Sequence, residues 1–144
     1  MKKTLIILFC LLCFTGCSLT TPPDVSKYHF NNLEKVDSFK YRQINNWQAI
    51  DSRSLIISVS DSKSYLLILD RRGLQDLEFS EQIRISSDAY KVRAHTDLIH
   101  VVGQYGRPKR IETIYKLPNR QAQQNVRAVI LGEVVEATNT NIVI

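Results

Sequence analysis

The chain has 144 residues, with 19 Lys and Arg against 14 Asp and Glu, a formal charge of +5 and a 44% hydrophobic composition. That length holds one domain of about 100 residues once an N-terminal leader is set aside, and the charge is too small to argue for a nucleic-acid partner. Five glycines leave no phosphate-cradling loop.

Lys2 and Lys3 precede an apolar run from Leu5 to Phe14, and Thr15-Gly16-Cys17 follows with small residues and a cysteine. This is the pattern of an export signal. A bilayer-spanning helix needs roughly 20 apolar residues, so the run is read as removed and not retained. Phe14-Thr15-Gly16-Cys17 resembles the lipobox of bacterial lipoproteins, with Phe14 where Leu is usual. The resemblance implies a diacylglyceryl group on the Cys17 sulfur and cleavage before Cys17. The alternative is an ordinary secretory signal with an incidental cysteine. Each buried CH₂ contributes about 0.8 kcal/mol, so two or three acyl chains anchor a protein stably where one does not. Ser18 follows the cysteine in place of the Asp that marks inner-membrane retention in enteric lipoproteins, which implies outer-membrane delivery, facing the periplasm.

Cleavage removes Cys10 and Cys13 together with two lysines and no acidic residue, so the formal charge falls from +5 to +3. Cys17 is then the one cysteine, and lipid occupies it. Without an internal disulfide, the core must be stable through apolar burial alone.

The expected organisation is a signal over 1–16, a lipid anchor and tether over 17–29, one β-rich domain over 30–131, and residues 132–144 as a strand or tail. Pro22-Pro23 in a polar stretch marks the tether, which stretched from Ser18 to Lys27 reaches roughly 30 Å. Leu55, Ile57 and Val59 alternate with serines, Asp61-Ser62-Lys63 supplies a turn, and Tyr65, Leu67 and Leu69 resume the alternation, predicting a hairpin. Ile56, Leu66 and Ile68 on its other face place the pair centrally in the sheet. Leu74 to Glu81 reads as a short helical turn anchored by Leu77 and Phe79, before a strand at Ile83 and Ile85. Tyr90 to His95 and Leu98 to Val102 read as a second hairpin about Thr96-Asp97. Gly106-Arg107-Pro108 marks a turn, and Arg110 to Leu117 is taken as a strand although Ile111, Ile114, Tyr115 and Leu117 fit neither period. Asn119 is placed to cap a helix with Ala122, Val126, Val129 and Ile130 on the covering face. Glu133 to Ile144 reads equally as a last strand or a frayed tail. The fold class is therefore mainly β (α+β), a twisted antiparallel sheet or barrel-like domain with one covering C-terminal helix.

Trp47-x-x-Ile50-Asp51, Ser54-Leu55-Ile56, Tyr65-Leu66-Leu67-x-Leu69, Leu77-x-Phe79 with Ile83-x-Ile85, Asp97-x-Ile99-x-Val101 and Ile111-x-x-Ile114, in this order and spacing, resemble DUF6491, a family of small proteobacterial lipoproteins. The likeness spans about Val36 to Leu117. It implies an envelope location and no particular activity. It also implies cysteines near Gly73 and near Lys109, bridged in the family; this sequence has neither.

Few residues point to chemistry. His95, His100 and Asp97 lie within six positions and form a conceivable metal or hydrolytic site, although structural and catalytic zinc sites use three or four convergent ligands. No Gly-x-Ser-x-Gly elbow or His-Glu-x-x-His occurs. Asp51, Asp61 and Asp70 sit at strand ends, where turn chemistry accounts for them. Trp47, between Ile44 and Ile50, reads as a core anchor, with a carbohydrate platform as the alternative. Arg71-Arg72 and Arg107-x-Lys109-Arg110 flank turns. They read as solvated residues that keep sheet edges from pairing; the functional alternative is attraction to anionic headgroups or lipopolysaccharide, about 1 kcal/mol per residue.

The sequence thus reads as a non-enzymatic envelope protein without a cofactor. Its membrane attachment is the lipid on Cys17, its partner is an unidentified envelope component, and Arg71, Arg72, Arg107, Lys109 and Arg110 are candidate surface-binding residues.

Overall fold

The computed structural model describes residues 25–103 and 106–133. Cys17, the signal expected over 1–16 and the strand or tail expected at the C-terminus, from residue 134 onward, lie outside the described residues.

Among the described residues, nine strands and one α-helix follow in chain order: β1 Glu34–Val36, β2 Ser38–Lys40, β3 Asn46–Asp51, β4 Ser54–Ser60, β5 Lys63–Leu69, β6 Ile83–Ile85, β7 Lys91–Arg93, β8 Leu98–Val101, β9 Lys109–Leu117 and α1 Arg120–Leu131. Seven strands form a curled antiparallel half-barrel, six of them in the order β3-β4-β5-β9-β8-β6 and β1 as the seventh. β1 joins it on β9, beside β8: Glu34 to Val36 register against Lys116 to Ile114, and Leu98 and Ile99 against Arg110 and Lys109.

The first expected hairpin forms as β4 and β5, with Leu55 opposite Leu67 and Ile57 opposite Tyr65. Both its faces are buried. Leu55, Ile57, Leu67 and Leu69 point into the inner core, while Ile56, Leu66 and Ile68 point to an outer core beneath α1. Trp47 is partly buried against the inner core.

β9 explains its own irregular pattern. Thr113 lies opposite Ile68, but Ile111 lies opposite Leu69, so Glu112 is one extra residue and the strand bulges there. The bulge returns Ile111 and Ile114 to the same inner face, while Tyr115 and Leu117 join the outer core. A three-residue spacing is then compatible with a strand.

The second expected hairpin does not form. β7 pairs with β2 in a separate two-stranded sheet, with Val92 opposite Phe39, and β8 pairs with β6 and β9. The cause is the link between them. His95 takes a left-handed backbone, φ 63°, and its N–H bonds to the Ile111 carbonyl at 2.7 Å, while the Ala94 N–H bonds to Asp37 at 2.8 Å. Val92 and Phe39 are buried, and the Phe39 ring stacks on Tyr65 at 4.1 Å, so the pairing follows burial between distant segments.

The short turn is a 3-10 helix over Leu77–Phe79. Leu77 is fully buried, but Phe79 is 85% exposed, contrary to its expected role as an anchor. In a helix of three residues per turn, positions three apart share a side and positions two apart do not. Leu77, joined in the inner core by Leu74 from the preceding turn, therefore faces inward and Phe79 faces out.

Asn119 caps α1 by accepting the Ala122 N–H at 2.8 Å, and Val126 and Ile130 are buried on the outer core with Ala122 packed beside them. Val129, expected on that face, is exposed. The folded body begins before Phe30, because Tyr28 is 7% exposed within the outer core. Among the described residues no helix is long and apolar enough to cross a membrane.

Candidate functional site

Two basic segments far apart in sequence meet at one end of the sheet. The Asp70–Gly73 turn follows β5, and residues 106–109 lead into β9. Because β5 and β9 are neighbours, the turn is bound to the start of β9 by the Asp70 N–H on the Arg110 carbonyl, at 3.0 Å. Arg72, Arg107 and Lys109 thereby line one open cleft of about 570 Å³, with Asp76 as the acidic residue on its wall. Arg71 lines the adjoining cleft, which Arg72 also borders. Arg110 lines neither; it lies opposite Leu98 on β8, its side chain exposed.

Gly73 also lines the basic cleft, together with Lys109. The two neighbourhoods to which the family resemblance assigns cysteines are therefore close in the fold. Gly73 itself admits no side chain: its φ is +57°, and a Cβ would lie 2.6 Å from the Ser52 carbonyl oxygen and 2.8 Å from Arg53 Cγ.

The adjoining cleft, about 510 Å³, is bordered by Lys27, Tyr28, Asp51 and Arg53. Asp51 ends β3, and its carboxylate accepts four bonds. Ser54 Oγ and the Arg53 N–H donate to Oδ1 at 2.6 and 3.0 Å, while the Tyr28 hydroxyl and Lys27 Nζ donate to Oδ2 at 2.6 and 2.9 Å. Burial alone would raise the Asp51 pKa, but the bonds from Ser54, Tyr28, Lys27 and the Arg53 backbone outweigh it and hold the carboxyl below its ordinary range. Burial works against the Lys27 charge too, and the bond to Asp51 with its charge overcomes it and raises that pKa. The Tyr28 hydroxyl is pushed up by burial and by its bond to the carboxylate.

Arg53 is buried. It donates from Nε to Asp70 and from Nη2 to Leu69 carbonyls, both at 3.2 Å, approaches bulged Glu112 at 3.6 Å, and lies 4.5 Å over the Tyr28 ring. Among the described residues its Nη1 has no hydrogen-bond partner. Lys27 also donates to the Ile130 carbonyl near the end of α1, at 3.1 Å. The cluster is thus a clasp joining the incoming chain, the β3–β4 turn, the β9 bulge and the helix. Nothing in the sequence marked Arg53 or Lys27 for this; the one available signal was Tyr28, an aromatic residue placed in the tether.

The conceivable metal triad is not brought together for coordination. Asp97 is 3% exposed and its Oδ2 accepts the Arg93 N–H at 2.7 Å, so it shapes the link between β7 and β8. His95 is exposed on its left-handed turn. His100 sits on β8 opposite Arg84. Among the described residues no group of three or more His, Cys, Asp or Glu side chains is placed to hold a metal ion.

Residues 1–133 match the pattern of a family described as a family of unknown function, DUF6491. The chain belongs to this family. The DUF6491 match takes in the N-terminal residues, the whole sheet and α1, a longer span than the Val36 to Leu117 likeness. No curated protein and no solved structure matches the chain.

Proposed function

We propose that this protein is a lipid-anchored component of the bacterial envelope, held by acylated Cys17, whose β domain is a non-enzymatic binding module with its binding face at the basic cleft. The observation that carries the binding role is the convergence of Arg72, Arg107 and Lys109, from two distant segments, on one open cleft. Cations on solvated turns have no need to share a concavity; a ligand with anionic groups does, because a low-dielectric wall strengthens each charge. Such a ligand is an envelope component bearing phosphate or carboxylate.

The anchor rests on Phe14-Thr15-Gly16-Cys17 and the short apolar run before it. In cells fed labelled palmitate, the chain should take up label and Cys17→Ala should not; label retained in Cys17→Ala would overturn the anchor. Crosslinking in intact cells tests the binding role. The wild-type chain should capture an envelope component that Arg72→Glu with Lys109→Glu loses, and equal capture by both would remove the cleft from the role.

A further inference from the structure

Phe79 is the most exposed large apolar side chain among the described residues, at 85%. An ordered turn holds it there. Leu77 is fully buried, the Phe79 N–H bonds to the Asp76 carbonyl at 3.1 Å, and the Ser80 hydroxyl bonds to that same carbonyl at 2.7 Å. Val102, 40% exposed, lines the same shallow cleft as Phe79. That cleft shares Val101 and Gly103 with the basic cleft of Arg72, Arg107 and Lys109. On its other side Arg72 borders the cleft of Lys27 and Tyr28, near which the described chain begins at Val25. One end of the domain therefore carries an apolar tip, three cations and the incoming tether.

We propose that this end docks on the bilayer that carries the anchor, with Phe79 and Val102 entering the boundary between headgroups and acyl chains and Arg72, Arg107 and Lys109 meeting headgroup phosphates. The inference rests on the anchor at Cys17. Covalent geometry limits the span from Cys17 to Val25 to roughly 28 Å, so the end at which the chain enters stays close to the membrane. Aromatic and aliphatic side chains beside cations are the composition of interfacial binding surfaces. Asp76, Glu78 and Glu81 stand at the same end and weaken the ionic attraction, which leaves the apolar tip as the larger contribution. A weak contact suffices, because tethering makes it intramolecular.

The test uses the full acylated chain reconstituted into vesicles of phosphatidylethanolamine with phosphatidylglycerol, in which some acyl chains carry bromine. Trp47 is the only native tryptophan and is packed against the inner core. Phe79→Trp adds a reporter at the tip. Brominated lipid should quench that added emission about twofold, since a side chain at the acyl boundary comes within reach of the bromines, and should leave the Trp47 emission of the wild-type chain unchanged. Arg72→Glu with Lys109→Glu should reduce the quenching. A chain that floats with the vesicles but shows no quenching at position 79 overturns the docking while leaving the anchor standing, and assigns the exposed tip to a protein partner. A chain that does not float overturns both. Quenching unaffected by the charge reversals removes the three cations from the docking.

Discussion

Tyr28 donates its hydroxyl to Asp51 Oδ2 at 2.6 Å, and this bond ties the start of the described chain to the β3–β4 turn. A hydrogen bond to a charged group contributes about 1.5–3 kcal/mol, and Asp51 keeps three other donors when it is lost. Tyr28→Phe should therefore lower stability by roughly 1.5 kcal/mol, read as a lower midpoint in urea with an unchanged slope. No loss in Tyr28→Phe would mean the clasp contributes nothing net.

The same cluster sets a pH response. The folded Asp51 carboxyl titrates below its ordinary 3.8, so the unfolded chain takes up that proton first; the stabilisation is present above about 3.8 and is lost as pH falls through the lower folded value. Lys27 and Tyr28 titrate above 10.5 and 10.0 when folded, so their stabilisation is present below those values and is lost as pH rises through the raised ones. Melting temperature against pH should fall at both ends. Asp51→Asn should flatten the acid limb, and an acid limb of unchanged steepness would assign it to other carboxylates.

Gly73→Ala should cost more than Gly132→Ala. Both positions have positive φ, but an added Cβ meets the Ser52 carbonyl at 2.6 Å in the first and nothing within 4 Å in the second. The backbone strain common to both is about 1 kcal/mol, and the collision adds to it at Gly73 only. Equal thermal shifts in the two variants would show that the Asp70–Gly73 turn yields freely.

Ala89 and Tyr90 are consecutive left-handed residues, φ 50° and 55°, closing a turn in which the Lys91 N–H bonds to Asp88 at 3.1 Å. Two such residues match a type I′ turn, which favours Asn-Gly. Ala89→Asn should raise stability by about 0.5–1 kcal/mol. A lower denaturation midpoint in Ala89→Asn would overturn this assignment.

Deleting Glu112 should straighten β9 and leave the sheet folded. Ile111 already stands opposite Leu69 and Thr113 opposite Ile68, so removing the residue between them leaves one regular register with Ile111 still on the inner face, and the loss is confined to the carboxylate 3.6 Å from Arg53. Loss of hydrogen-exchange protection along β9 in the deletion variant would show that the bulge itself is required.

What was readable in the sequence was local. β4 and β5 follow from strict alternation across one turn, and α1 follows from Asn119 and the spacing of Ala122, Val126 and Ile130. The rest depends on partners distant in the chain. Val92 pairs with Phe39 instead of with the adjacent strand, and no periodicity encodes that choice. Glu112 disguised a strand by shifting its phase. Phe79 was misplaced because its neighbours Leu74 and Leu77 satisfy the inner face by themselves. Of the candidate binding residues, Arg72, Arg107 and Lys109 could be named individually, but their shared cleft follows from β5 lying beside β9.

β9 is the partner of β1, β5 and β8. A chain still emerging from the ribosome, with residues up to Pro108 made, therefore has only disconnected pieces: the three strands β3-β4-β5, β2 with β7, and β6 with β8. None of these can join the others into one sheet until β9 arrives. The late strand acts as a latch: the pieces made before it become one sheet only when residues 109–117 are in place.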